Sequence, residues 1–142
     1  MSPSTVRETW KKIGIMFQTA TEEKYKDGEI IFKEGSSGDW IYVIESGAVE
    51  ISKKIGGEKV VMVVLKPGEI IGELGFITKT PRTATATAIG DTTVGIIDPI
   101  FFEQEFNKLS PDFQAVLTSL AERLKKTTDS ACLIRKALHK QK

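Results

Sequence analysis

Thr83-Ala84-Thr85-Ala86-Thr87-Ala88 is the stretch that decides the fold class of this chain. Its alternation is strict. In an extended strand successive side chains point to opposite faces, so the three alanines share one face and the three threonines the other. A strand with only methyl groups on its inner face suits two situations. One is a tightly packed sheet; the other is a place where something other than side chains must lie against the backbone. Working outward, residues 22–98 break into short β segments: Ile30-Ile31-Phe32, Trp40 to Ile44, Val49-Glu50-Ile51 and Val60 to Leu65. Turn residues divide them at Asp27-Gly28, Gly35 to Asp39, Ser46-Gly47, Gly56-Gly57 and Pro67-Gly68. Gly56-Gly57 predicts a hairpin, because both central positions of a tight hairpin turn need positive φ. Strands this numerous and evenly spaced predict a barrel or a sandwich.

Helical periods flank the β region. Ser4 or Thr5 as cap, Glu8 at capping-box spacing, and Val6, Trp10, Ile13 and Phe17 predict a short helix over 4–17. Asp98-Pro99 opens another, with Phe101, Phe102 and Phe106 on its apolar face, and Ser110-Pro111 opens a longer one. In that last helix Phe113, Leu117, Leu120, Leu124, Thr127, Ala131, Ile134 and Leu138 recur at alternating spacings of four and three residues. Such a heptad register fits a parallel coiled-coil homodimer; a helix that only packs on its own barrel is the alternative.

Composition narrows the function. The chain has 142 residues, a net charge of +1, one cysteine (Cys132) and one histidine, His139 near the end. The length suits a single domain over 1–142. A barrel metalloenzyme needs clustered histidines, and a Cys-His or Ser-His nucleophile pair would depend on His139 alone. No Walker loop or Rossmann glycine triplet is present. These counts speak against an enzyme and against a metal or cofactor. No apolar run has membrane-spanning length, the N-terminus lacks a signal-peptide pattern, and a lone cysteine fits a reducing compartment. A cytoplasmic location without membrane contact is therefore expected.

One segment carries ligand chemistry. In Pro67 to Phe76, Glu73 lies between Gly72 and Gly75 among apolar neighbours, and Arg82 follows nine residues after Glu73. Glycines let backbone amides approach a ligand closely, and a helical turn beginning near Leu74 would offer N–H groups to an anion. A carboxylate, a guanidinium and free amides suit a molecule with a hydroxyl beside a phosphate. On spacing alone, Glu73 and Arg82 equally suit a structural ion pair.

Gly72-Glu73-Leu74-Gly75-Phe76 with Pro81-Arg82-Thr83-Ala84-Thr85 resembles the phosphate-binding cassette (72–83) of the cyclic nucleotide-binding domain family. Gly28, Gly35, Gly38, Gly47 and Gly68 fit the same family in order, over about residues 22–138. The resemblance implies a mainly β fold with flanking helices. That fold is a double-stranded β-helix, a jelly-roll-like barrel over 22–98, with a short N-terminal helix and long C-terminal helices over 99–138. It implies that Glu73 accepts from the ribose 2′-hydroxyl and that Arg82 pairs with the cyclic phosphate. Amides around Leu74, Gly75 and Thr83 would donate to phosphate oxygens, with the Thr83 hydroxyl a further donor. Val49 and Met62 would line sugar and base, although plain barrel core is the simpler reading of both. The helix around Ala121 to Asp129 resembles the dimerising helix of bacterial catabolite activator-like regulators, which places Thr127 and Thr128 against the purine across the dimer.

The ligand this implies is cyclic AMP, with cyclic GMP as the alternative because Thr83 after the arginine occurs with either. Regulators of that kind continue into a helix-turn-helix, and this chain reaches Lys142 where one would begin. From Arg123 onward it has seven Lys or Arg against one Asp, which a solvated helix end explains more simply than DNA contact. Three roles remain open: a sensor acting through an unidentified protein partner, the sensor half of a DNA-binding regulator, or a degenerate oligomerisation module.

Overall fold

The structure, a computed structural model, describes residues 19–38 and 40–140. The helix expected over 4–17 lies outside the described residues. Among the described residues, six strands and three helices follow in chain order: β1 (Thr19–Tyr25), β2 (Ile30–Phe32), β3 (Ile41–Ile55), β4 (Glu58–Leu65), β5 (Ile70–Ile71), α1 (Glu73–Thr78), β6 (Thr85–Ile97), α2 (Pro99–Asn107) and α3 (Pro111–Lys140). The strands form one antiparallel sheet with the path β1-β6-β3-β4; β2 adds to β6 and β5 to β3. Its spine is the long pairing of β3 with β6, from Ile41 opposite Ile97 to Ser52 opposite Thr85. The expected barrel is thus an open roll: β4 pairs with β3 alone and leaves an edge.

Period-two geometry explains how β3 serves two cores. Tyr42 and Ile44 point into one cluster with Ile31, Val49, Ile71, Ala86, Val94 and Ile96. Ile41 and Val43 point the other way, against Phe76, Ile97 and the α2 phenylalanines. Phe76 meets Phe102 edge-on at 5.5 Å, the favoured aromatic geometry, and this fixes α1 beneath α2.

The alanine strand behaves as its alternation predicts. Ala84, Ala86 and Ala88 are all buried, with Ala86 in the first core. Ser46-Gly47 does not end a strand. β3 runs through it with register shifts on both sides, a bulge made possible by Gly47 at φ 83. Thr92 holds this bulge by donating to the Ala48 carbonyl at 3.0 Å and accepting from the Ala48 amide at 3.4 Å.

The helix caps are those the sequence signals. Asp98 accepts from the Ile100 amide at 2.9 Å, with Pro99 inside the first turn. Ser110 accepts from the Phe113 amide at 3.3 Å. On α3, Ala121 and Cys132 are buried, so the face they share is the one turned to the sheet. The heptad stripe lies elsewhere: Phe113, Leu120, Leu124, Ile134 and Leu138 are each more than half exposed. No helix among the described residues is long and apolar enough to cross a membrane.

Candidate functional site

Arg82 is the most unusual residue of the fold, a guanidinium only 4% exposed. Burying such a charge is costly unless its donors and its field are answered. Its Nη2 donates to the Trp40 carbonyl at 2.7 Å and its Nη1 to the Gly72 carbonyl at 3.2 Å. The guanidinium lies 4.5 Å over the Phe32 ring, and Tyr42 is 5.9 Å away. Backbone bonds anchor the loop: the Arg82 amide donates to Ser36 at 3.0 Å and the Gly35 amide donates to the Arg82 carbonyl at 2.8 Å.

Two glycines make this seat. A Cβ at Gly38 would stand 3.1 Å from Arg82 Nη2. At Gly72 it would stand 2.6 Å from Nη1 and 2.9 Å from the Trp40 carbonyl. Gly72 also has φ 89, a left-handed conformation that glycine adopts without strain, and it caps α1 from there.

Glu73 opens the first turn of α1. Burial raises its carboxyl above the ordinary carboxylate range, and a hydrogen bond with its own backbone works the other way. A carboxylate held partly out of water is a strong acceptor for any hydroxyl that reaches it. Arg82 is felt nearby too: burial raises the Tyr42 phenol, and the positive charge of Arg82 opposes that shift.

These groups converge on one cavity of about 140 Å³. Gly72, Glu73, Leu74, Gly75, Arg82 and Thr83 all line it, together with apolar Phe32, Ile51 and Leu65. A second cavity of about 120 Å³ continues from it, sharing Leu74, Thr83 and Ala84, and is closed by Met62, Leu124 and Thr128. A third, of about 290 Å³, shares Met62 and Thr128 with the second and adds Thr127, Cys132 and Arg135. Their shared lining residues make the three neighbours along one groove that runs from the buried arginine to α3.

The structure therefore brings together nine of the ten expected site residues. Val49 departs from the rest: it is fully buried in the first core and is not among the residues lining these cavities. Met62 reaches the groove because a register shift between Ile51 and Ser52 makes it the extra residue of a bulge in β4.

The links between α3 and the β3–β4 hairpin escape sequence reading. Lys53 pairs with Asp129, Lys136 donates to the Ile55 carbonyl, and Arg135 Nη1 donates to the carbonyls of Val61 and Met62. Each joins residues more than seventy positions apart, so no local spacing announces it. Phe32, under the guanidinium, reads in sequence as an ordinary apolar strand residue.

Comparison with known proteins converges on the same region. The family model described as the cyclic nucleotide-binding domain matches residues 22–108. A cAMP-dependent protein kinase regulatory subunit of Yarrowia lipolytica is 40% identical over 68 residues, covering 48% of this chain and 18% of that protein. Curated relatives are longer proteins; the chain spans about a quarter or less of their length. Among solved structures, the cAMP-bound form of the EAL enzyme Bd1971 superposes with a TM-score of 0.74 at 27% identity, over 85% of this chain and 32% of that one. Its cGMP-bound form gives 0.70 at 28% identity, over 74% and 28%. The N-terminal domain of a Streptomyces coelicolor transcriptional regulator gives 0.55 at 31% identity, over 78% and 77%. With more than half its length matched by the family model and the cassette folded around a buried arginine, the chain belongs to the cyclic nucleotide-binding domain family.

Proposed function

We propose that the chain is the sensor unit of a regulatory protein and binds a 3′,5′-cyclic purine nucleotide in the groove between α1 and α3. The observation that carries this reading is the cavity in which Arg82 and Glu73 face the same space. Arg82 takes the cyclic phosphate, a monoanion whose charge offsets the buried guanidinium. Glu73 accepts from the ribose 2′-hydroxyl, which a 2′-deoxy ligand lacks. Amides of Leu74, Gly75 and Thr83, and the Thr83 hydroxyl, are the remaining phosphate donors. The purine then lies toward Met62 and α3, where Thr127 and Thr128 offer hydroxyls. Cyclic AMP and cyclic GMP both meet these demands, and a hydroxyl, which donates and accepts, suits either.

The output runs through α3. Its inner face closes the groove, where Leu124, Thr127 and Ala131 of the heptad stripe also stand, while Phe113, Leu120, Ile134 and Leu138 of that stripe are exposed, so a ligand that draws the helix onto the hairpin changes what the stripe presents. A second copy of the chain is the proposed partner of that stripe, as a parallel homodimer. A sensor of this kind performs no chemistry on its ligand, and its signal passes to whatever α3 contacts.

Thermal melting tests the binding claim. Cyclic AMP or cyclic GMP should raise Tm progressively with concentration, following mass action and reaching about 2.7 kcal/mol of added stability at a hundredfold excess over Kd. At the same concentrations the shift should be much smaller in Arg82→Ala, or absent. An unchanged Tm at millimolar concentrations of both nucleotides would overturn the reading.

A further inference from the structure

Among the described residues lining the cavity of about 290 Å³ between β4 and α3, the cation is Arg135, an exposed side chain tied to the hairpin. Both of its bonds to the Val61 and Met62 carbonyls use Nη1, so the Nη2 and Nε donors are not engaged in them. Those carbonyls belong to the bulge that also places Met62. The hairpin therefore holds the guanidinium at the end of the groove away from Arg82.

The purine reading proposed above puts the ribose near Glu73, and the six-membered ring is the end of a purine farther from the ribose. Its chemistry differs sharply between the two candidate bases. Guanine presents two adjacent acceptors, O6 and N7, whereas adenine presents an N6 donor beside the N7 acceptor. A guanidinium has donors only, so it matches the first pattern at both atoms and the second at one. The threonines do not discriminate in this way. The other carboxylate in the groove, Asp129, is paired with Lys53 and is not offered to the base.

Resting on the cyclic nucleotide reading, we infer that Arg135 is a specificity-determining residue that favours a 6-oxopurine over adenine. The site is then a better receptor for cyclic GMP, and equally for cyclic IMP, than for cyclic AMP.

Equilibrium titrations of cyclic AMP, cyclic GMP and cyclic IMP against the full chain test this. Cyclic IMP carries O6 and N7 but lacks the 2-amino group, so it separates reading by Arg135 from a contact between the Thr83 hydroxyl and that amine. The wild type should bind both oxopurines about tenfold more tightly than cyclic AMP, within the range of a bidentate arginine contact. Arg135→Ala should remove that preference by weakening cyclic GMP and cyclic IMP about tenfold more than cyclic AMP, which loses only the N7 contact and the shared helix clamp. Arg135→Gln should move it toward adenine, because an amide pairs a donor with an acceptor. Arg135→Lys, which keeps the charge and loses the fork, should retain only part of the preference.

Equal loss for all three ligands in Arg135→Ala would reduce Arg135 to a clamp on α3 and overturn the inference. A wild type that prefers cyclic AMP, or cyclic IMP behaving like cyclic AMP, would overturn it as well. Each of these outcomes leaves the Arg82-dependent binding claim standing; absence of binding by all three ligands would remove both.

Discussion

Arg82 and the glycines around it form a unit in which each residue is explained by its neighbour. Gly72→Ala would put a Cβ where Nη1 and the Trp40 carbonyl already stand, in a backbone conformation that alanine resists. We expect a loss of roughly 1–3 kcal/mol in denaturant unfolding, with weaker nucleotide binding in the protein that remains folded. Gly57→Ala is the control: its φ is equally positive at 82, but no atom lies within 4 Å of its Cβ, so ligand affinity should be unchanged. Glu73 makes a different prediction. Its carboxyl pKa is raised by burial, so the folded state holds the proton more tightly than the unfolded state does. The resulting stability is fully present below the unfolded pKa and is lost as pH rises through the folded one. Glu73→Gln should therefore melt higher than wild type without ligand, by a margin that grows as pH rises above the ordinary carboxylate range, and should bind nucleotide less well. A variant less stable than wild type at neutral pH would contradict this account of Glu73.

At the scale of elements, α3 divides its faces between two tasks. The face with Ala121, Thr128 and Cys132 turns to the sheet and the groove, while the stripe through Phe113, Leu120 and Leu138 faces outward. Leu120 is 56% exposed on the single chain, so Leu120→Asp should leave the fold of that chain intact and lower the melting temperature only by what the dimer contact contributes. Light scattering should give about twice 15.7 kDa for the wild type and about 15.7 kDa for Leu120→Asp. A wild-type monomer at high concentration would remove the homodimer from the account. Beside the buried Ala121 and Cys132, the helix is tied to the β3–β4 hairpin through Lys53–Asp129, Arg135 and Lys136. Raised salt should therefore loosen its C-terminal half before the sheet, which faster amide exchange confined to that half would report.

Across the whole molecule, what was legible in the sequence follows a physical rule. Local periodicity revealed the alanine strand, both helix caps and the α3 register, because each depends on neighbours within a few residues. The cassette was legible only through its resemblance to a known family, since spacing alone left Glu73 and Arg82 open to a structural ion pair. Closure was not: a bulge at Gly47 lets β3 run on where a turn was expected, and the sheet stays an open roll. Val49 shows the limit for site residues, since a valine facing a core and a valine facing a ligand look alike in a strand. Arg135 shows the opposite limit, because only the fold brings it to the β4 bulge.

The central claim is that Arg82 and Glu73 hold a cyclic nucleotide in one cavity, and titration calorimetry of wild type beside Arg82→Ala tests it most directly. The account predicts saturable heat at one site per chain with cyclic GMP or cyclic AMP, and a loss of more than about thirtyfold in affinity in Arg82→Ala. Heat that never saturates, or equal affinity in the two proteins, would contradict it.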